Sequence, residues 1–168
     1  MNKQHATLIA AMVRYDQGDP KRIQHFLKVH SFAATIGMLE GLDTDTLFIL
    51  ETAAIVHDIG IHMAEEKYHS AAGKYQEMEG PAEARKLLNA VGGYTPGQIE
   101  RVCWLVGHHH HYADIQGADY QILVEADFLV NMYEDSMSTT YIGNVERTVF
   151  KTATGRQLLE NMFLKPRQ

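Results

Sequence analysis

The sequence predicts an all-α fold, on three observations. Apolar residues recur at the three- and four-residue spacings of helices along most of the chain, and no segment shows the alternation of a half-buried strand. Helix punctuation, including Asp19-Pro20, Gly41, Asp43 and Thr95-Pro96, falls where the periodic stretches begin or end. With 168 residues, 45% of them hydrophobic, the chain is expected to fold as one domain over residues 1–168. Proline and glycine are dispersed, and neither a low-complexity tract nor an internal repeat marks a linker.

A first helix runs through Leu8, Ile9, Met12 and Val13 and ends near Gly18. Asp19 then caps a second helix with Pro20 in its first turn, and that helix carries His30 and stops near Gly41. Asp43 or Thr44 caps a third, through Leu47, Leu50, Ala53 and Ala54, which ends at His57-Asp58-Ile59-Gly60 with Gly60 as its stop. Residues 61–80 are polar and weakly periodic and are expected to form a long loop. Pro81 opens the next helix, and Thr95-Pro96 starts another that runs into the four histidines at 108–111. A sixth helix spans about Tyr120 to Tyr133, and the tail carries short helices separated by Gly155.

Bulk properties narrow the function classes. Fifteen basic against 21 acidic residues give a net charge of -6, which argues against a nucleic-acid polymer or an acidic membrane as partner. No stretch approaches the roughly 18–20 consecutive apolar residues of a membrane span. The single Cys103 excludes an internal disulfide and a cysteine zinc site, and favours a cytoplasmic setting. Any metal must therefore be held by histidine and carboxylate.

Such residues stand where helices should carry carbon. Asp127 has Leu123, Val124 and Val130 as helical neighbours, His30 has Phe26, Leu27, Ala33 and Ala34, and Asp58 follows Ala54 and Ile55. An unpaired buried carboxylate costs several kcal/mol, roughly, so each must be neutralised, paired or bound to a cation. Few of the 15 Lys and Arg fall on these apolar faces. One shared divalent cation would satisfy all three groups together.

With His30, His57-Asp58 and Asp127 in that order on successive helices, the chain resembles the HD-domain superfamily of metal-dependent phosphohydrolases, over about residues 23–130. The resemblance implies an HD-type helical bundle with C-terminal helices 141–163 packed on it. It implies a divalent metal on His30, His57, Asp58 and Asp127, and makes His108 and His109 candidate ligands of a second ion. The chain departs from binuclear relatives at Gln76, which stands where they commonly have histidine, so Glu77 or Glu79 takes over or the second metal is weak or absent.

Nitrogen and oxygen ligands suit Mn, Fe, Co or Ni better than a closed cysteine zinc site, although a His-carboxylate set also accepts Zn. The cation would lower the pKa of a water and polarise a phosphoryl oxygen, with Asp58 orienting that water and a free histidine of the run, His108, as acid. Lys67, Lys74 and Arg85 are the cations expected to meet phosphate, with the two lysines also placed to assist catalysis, and Tyr75 or Tyr112 is expected to stack a base. His69 is expected to reach in from the loop or stay solvated, and His110 and His111 are expected to lie in solvent. The expected substrate is a small phosphate ester or a nucleotide. The alternatives are a diiron oxygenase-like protein and a non-catalytic nucleotide-binding module. The Met, Phe and Tyr of the last helices are expected to cover either the core or a second copy of the chain.

Overall fold

Residues 2–166 of the computed structural model are described, and every regular element among them is helical. In chain order these are α1 (Lys3–Tyr15), α2 (Pro20–Leu39), α3 (Thr44–Val56), α4 (Ile61–Tyr68), α5 (Gly73–Val91), α6 (Pro96–Val106), α7 (Ala118–Glu134), α8 (Thr139–Thr148) and α9 (Ala153–Leu159). A π-helical turn, Glu160–Leu164, continues α9. The starts are set by side chains that satisfy free backbone N–H groups: Asn2 for α1, Asp19 for α2, Asp43 for α3 and Thr95 with Gln98 in a reciprocal box for α6.

Helix α3 is the axis of the fold. From Leu50 to Val56 every residue is buried, because α1, α2, α6 and α7 each pack against it. Its apolar residues therefore run around the whole helix instead of forming a stripe. The stretch Thr44–Tyr68 is long and apolar enough to cross a bilayer by length and composition, against expectation. Of its most apolar window, 67% is buried within the fold, the pattern of a core helix.

Residues 61–80 are not a loop. They form α4 and the first half of α5, and Pro81 lies inside α5 instead of opening it. From Ile61 to Ala84 the inward strip is narrow and, after Ile61 itself, built from small or polar residues, Ala64 on α4 and Gln76, Gly80 and Ala84 on α5. That strip is invisible to a search for large apolar residues. His69 closes α4 in the left-handed conformation, at φ 51°. Glycines let the backbones touch: a Cβ on Gly60 would strike the Gln76 carbonyl oxygen and come within 2.8 Å of the Gly80 nitrogen, and one on Gly80 would lie 2.6 Å from Val106. Gly60 itself is right-handed, at φ -73°, so it serves close approach and not helix termination.

The C-terminal elements pack on α7, through α9, and on α2. Gly155 lies within α9 instead of between helices, since a Cβ there would collide with the buried Glu125 carboxylate. Glu125 accepts hydrogen bonds from the Lys151 and Thr152 N–H groups at 2.6 and 3.0 Å and from Gln121 at 2.8 Å, which ties the tail to α7.

Gly60→Ala is expected to destabilise the protein by about 1–3 kcal/mol through overpacking, whereas Gly97→Ala, with nothing near its Cβ position, should change stability by less than about 1 kcal/mol. Urea unfolding of the two variants checks this, and equal stabilities would mean that α4 and α5 do not depend on that contact.

Candidate metal centre

The cluster is built from histidines that are each fixed at one ring nitrogen. His57 Nδ1 lies 3.0 Å from the carbonyl oxygen of Ala54, and His109 Nδ1 2.9 Å from that of Val106. A carbonyl only accepts, so both rings carry hydrogen at Nδ1 and donate it. His25 Nδ1 meets Glu134 Oε2 at 2.9 Å, a carboxylate that imposes the same tautomer. In the neutral rings the lone pair is then at Nε2, which in His25 and His57 faces both Asp58 and Asp127 and in His109 faces Asp58.

Asp127 Oδ1 lies 3.2 Å from His25 Nε2 and 3.5 Å from His57 Nε2. Asp58 faces two ways: Oδ2 is 3.5 and 3.4 Å from His25 and His57 Nε2, and Oδ1 is 3.4 Å from His109 Nε2. His25 and His57 Nε2 are 3.2 Å apart. Bare lone pairs and carboxylate oxygens at these separations repel unless positive charge, a shared proton or a metal ion, lies among them. His109 Nε2 is moreover buried without a hydrogen-bond partner, an orphaned atom that a metal would satisfy. His25, His57, Asp58 and Asp127 thus fit one divalent ion, and Asp58, His109 and His110 form an adjoining group of the right spacing for another.

The local electrostatics agree with this donor set. Burial pushes the carboxyls of Asp58 and Asp127 up, but facing imidazoles overcome it and hold both well below the usual carboxylate range. Burial pulls His25 down, but Asp127, Asp58 and Glu134 outweigh it and raise the ring to about 9 when no metal competes for it. His110 moves the other way, lowered to about 4 by burial and by the neighbouring His109, which keeps it neutral near pH 7.

The family model for the HD domain matches residues 22–146. The chain belongs to the HD domain family. A solved structure of a predicted HD superfamily hydrolase from an uncultured Thermotogales bacterium shares the fold with this HD domain, at 22% identity and a TM-score of 0.64, covering 92% of this chain and 82% of that one. A search of curated proteins finds no match.

The HD domain brings His57, Asp58, Asp127 and His109 together, but not His30. On α2 it is His25 that faces Asp58 and Asp127, while His30 Nε2 is 2.9 Å from Glu51 on the other side of the helix. Five residues of α-helix turn about 140° beyond one full circle, so the two rings cannot face the same way. His25 is flanked by Lys21, Arg22 and Lys28, which hid it from a search for polar residues on apolar faces.

His108 also lies outside the cluster. It stacks on Trp104 with ring centroids 4.2 Å apart and donates from Nδ1 to the Trp104 carbonyl. The reason is the turn after α6: Gly107 lies under Pro81, and His109 and His110 point inward, their ring centroids 3.9 Å apart, while only His111 stays exposed on Glu77. Gln76 is buried, its amide nitrogen on the Ala71 carbonyl and its oxygen 3.3 Å from His110 Nε2. Glu77 holds the His110 and His111 side of that turn, and Glu79 binds Lys67 and Tyr68, so neither glutamate joins the cluster. His69 is the residue that ends α4.

The expected phosphate cations are elsewhere as well. Lys67 pairs with Glu79, Lys74 lies over the ring of Tyr75, and Arg85 is held by both oxygens of Glu100 in a separate groove. Tyr75 stacks on Tyr68. Tyr112 does reach the site's edge, packed on Phe128 with its hydroxyl 3.5 Å from His110 Nδ1. A cavity of about 380 Å³ opens onto His25, Asp58, Asp127, Gln76 and His110, and the cations in its wall are Lys21 and Arg22. Their place one turn before His25 was the available signal in the sequence.

Because Glu134 fixes the His25 ring from behind, Glu134→Gln is expected to weaken divalent-cation binding about 10–100-fold without unfolding the chain. Competition against a fluorescent chelator measures this, and unchanged affinity would leave Glu134 only the ion pair it makes with Lys28.

Proposed function

We propose that this HD domain is a metal-dependent phosphohydrolase acting on a small phosphate ester or a nucleotide. The observation that carries the reading is the convergence of His25, His57 and His109 on Asp58 and Asp127, two carboxylates that line the cavity, with each ring's tautomer set by its second nitrogen. His25, His57, Asp58 and Asp127 would hold one divalent transition-metal ion, of the Mn, Fe, Co, Ni or Zn class. Asp58, His109 and His110 would hold a second, with Gln76 steadying His110 in place of a histidine ligand of its own.

Divalent cations in these positions would lower the pKa of a water and polarise a phosphoryl oxygen. The rest falls to the chain. Asp58 is the carboxylate shared by both ion positions and is 20% exposed to the cavity, so it is placed to orient the attacking water and to take its proton. Arg22 is preset by Asp19, at 3.1 Å, and Glu65, at 2.6 Å, while Lys21 makes no ion pair among the described residues and is free to close on a phosphate oxygen. The lining also holds Asp19, Glu134 and Asp135, so an anion would be repelled from the cavity unless cations occupied the cluster. The volume is at the small-molecule end of ligand pockets, which favours a monoester or mononucleotide over a polymer.

Asp58→Ala is expected to reduce phosphate release at least about 100-fold across phosphomonoesters and nucleotides assayed with Mn²⁺, Co²⁺ or Ni²⁺. Lys21→Ala should instead raise KM about 10-fold and spare most of kcat, the loss of one charge-assisted contact to substrate. Full activity in Asp58→Ala would remove the hydrolase reading, and iron-dependent oxygen uptake without phosphate release would put the oxygenase reading in its place.

A further inference from the structure

The residue displaced from the expected site belongs to another one. His5 on α1, His30 on α2 and Glu51 on α3 are all buried, at 0%, 7% and 8% exposure. Their donor atoms lie within 4.8 Å of one another. His5 Nε2 is 3.3 Å from both the Phe48 carbonyl and the Thr52 hydroxyl. Thr52 gives its own hydrogen to that carbonyl, at 2.7 Å, so both neighbours can only accept and His5 must carry hydrogen at Nε2. The lone pair of the neutral ring is then at Nδ1.

That atom is 3.1 Å from Glu51 Oε2, yet it is buried and makes no aligned hydrogen bond. His30 Nε2 approaches the same oxygen at 2.9 Å. A ring that donates from one nitrogen to a backbone carbonyl and presents the other to a carboxylate and a second imidazole is arranged as a metal ligand. A tetrahedral ion bound at about 2.0–2.2 Å would set such donor atoms roughly 3.3–3.6 Å apart, which widens the two separations from Glu51 by roughly 0.2–0.7 Å.

We propose that His5, His30 and Glu51 form a second, structural divalent-cation site, of a kind that suits Zn²⁺, which fastens α1 to α2 and α3. The site is separate from the HD cluster in both residues and role: it is closed by burial, and His5 lies outside the residues that match the family. It makes the N-terminal helix a metal-secured part of the fold.

The test is anomalous diffraction at the zinc edge from crystals of the full chain loaded with a small molar excess of Zn²⁺. A peak between His5 Nδ1 and His30 Nε2 is expected, and its presence without one at His25, His57, Asp58 and Asp127 would support this site while overturning the proposed function. A filled HD cluster with nothing at His5 would overturn the site and leave a buried ion pair. In solution, the double variant Asp58→Ala, Asp127→Asn should still gain about 5–10 °C in Tm at 100-fold excess of Zn²⁺ over Kd. Adding Glu51→Gln should abolish that gain; the same gain in the triple variant, or none in the double one, would overturn the site.

Discussion

The burial of α3 on all sides is the constraint from which the rest follows. A helix walled in by α1, α2, α6 and α7 cannot rotate to expose its end, so His57 and Asp58, which follow Val56 directly, are held in the interior where the chain turns. Two polar residues at the end of this buried stretch must be satisfied by whatever the neighbouring helices present. Helix α2 presents His25, α7 presents Asp127 and the turn after α6 presents His109. The cluster is thus a consequence of packing as much as of chemistry.

Its stability in that position rests on the outer hydrogen bonds. Were the Nδ1 atoms of His57 and His109 not committed to the carbonyls of Ala54 and Val106, either ring could present an N–H to the carboxylates and close the cluster as neutral hydrogen bonds. Committed as they are, they present lone pairs to oxygens, and only positive charge relieves that arrangement. The same logic operates at His5, where the Phe48 carbonyl and Thr52 hydroxyl set the tautomer. The two clusters lie on opposite sides of α2 and share α3, which carries Glu51 in its buried stretch and leads into Asp58.

Much of the fold was legible locally. Caps such as Asp19 and Asp43 act within three residues, and large apolar residues at helical spacing marked α1, α2, α3, α6 and α7. Residues 61–80 escaped because their buried strip depends on glycines and small side chains, whose worth lies in how near another backbone comes. Asp127 and Asp58 were legible as inward-facing carboxylates, since apolar neighbours on the same helix face reported the core. His25 was not, because its neighbours Lys21 and Arg22 face a cavity wall, and a residue at a polar cavity reads like one in solvent.

The sequence by itself determined the all-helical class, the inward position of His30, Asp58 and Asp127, and the need for histidine and carboxylate as the only metal-binding groups, with one cysteine in the chain. Those properties depend on residue type and short-range spacing. Which histidine of α2 meets Asp127, which pair of the run at 108–111 turns inward, and which cations face the cavity were decided by the tertiary structure. Each of these depends on the rotation of one helix against another, which is set by contacts between residues distant in sequence, such as Gly60 with Gly80 and Pro81 with Gly107.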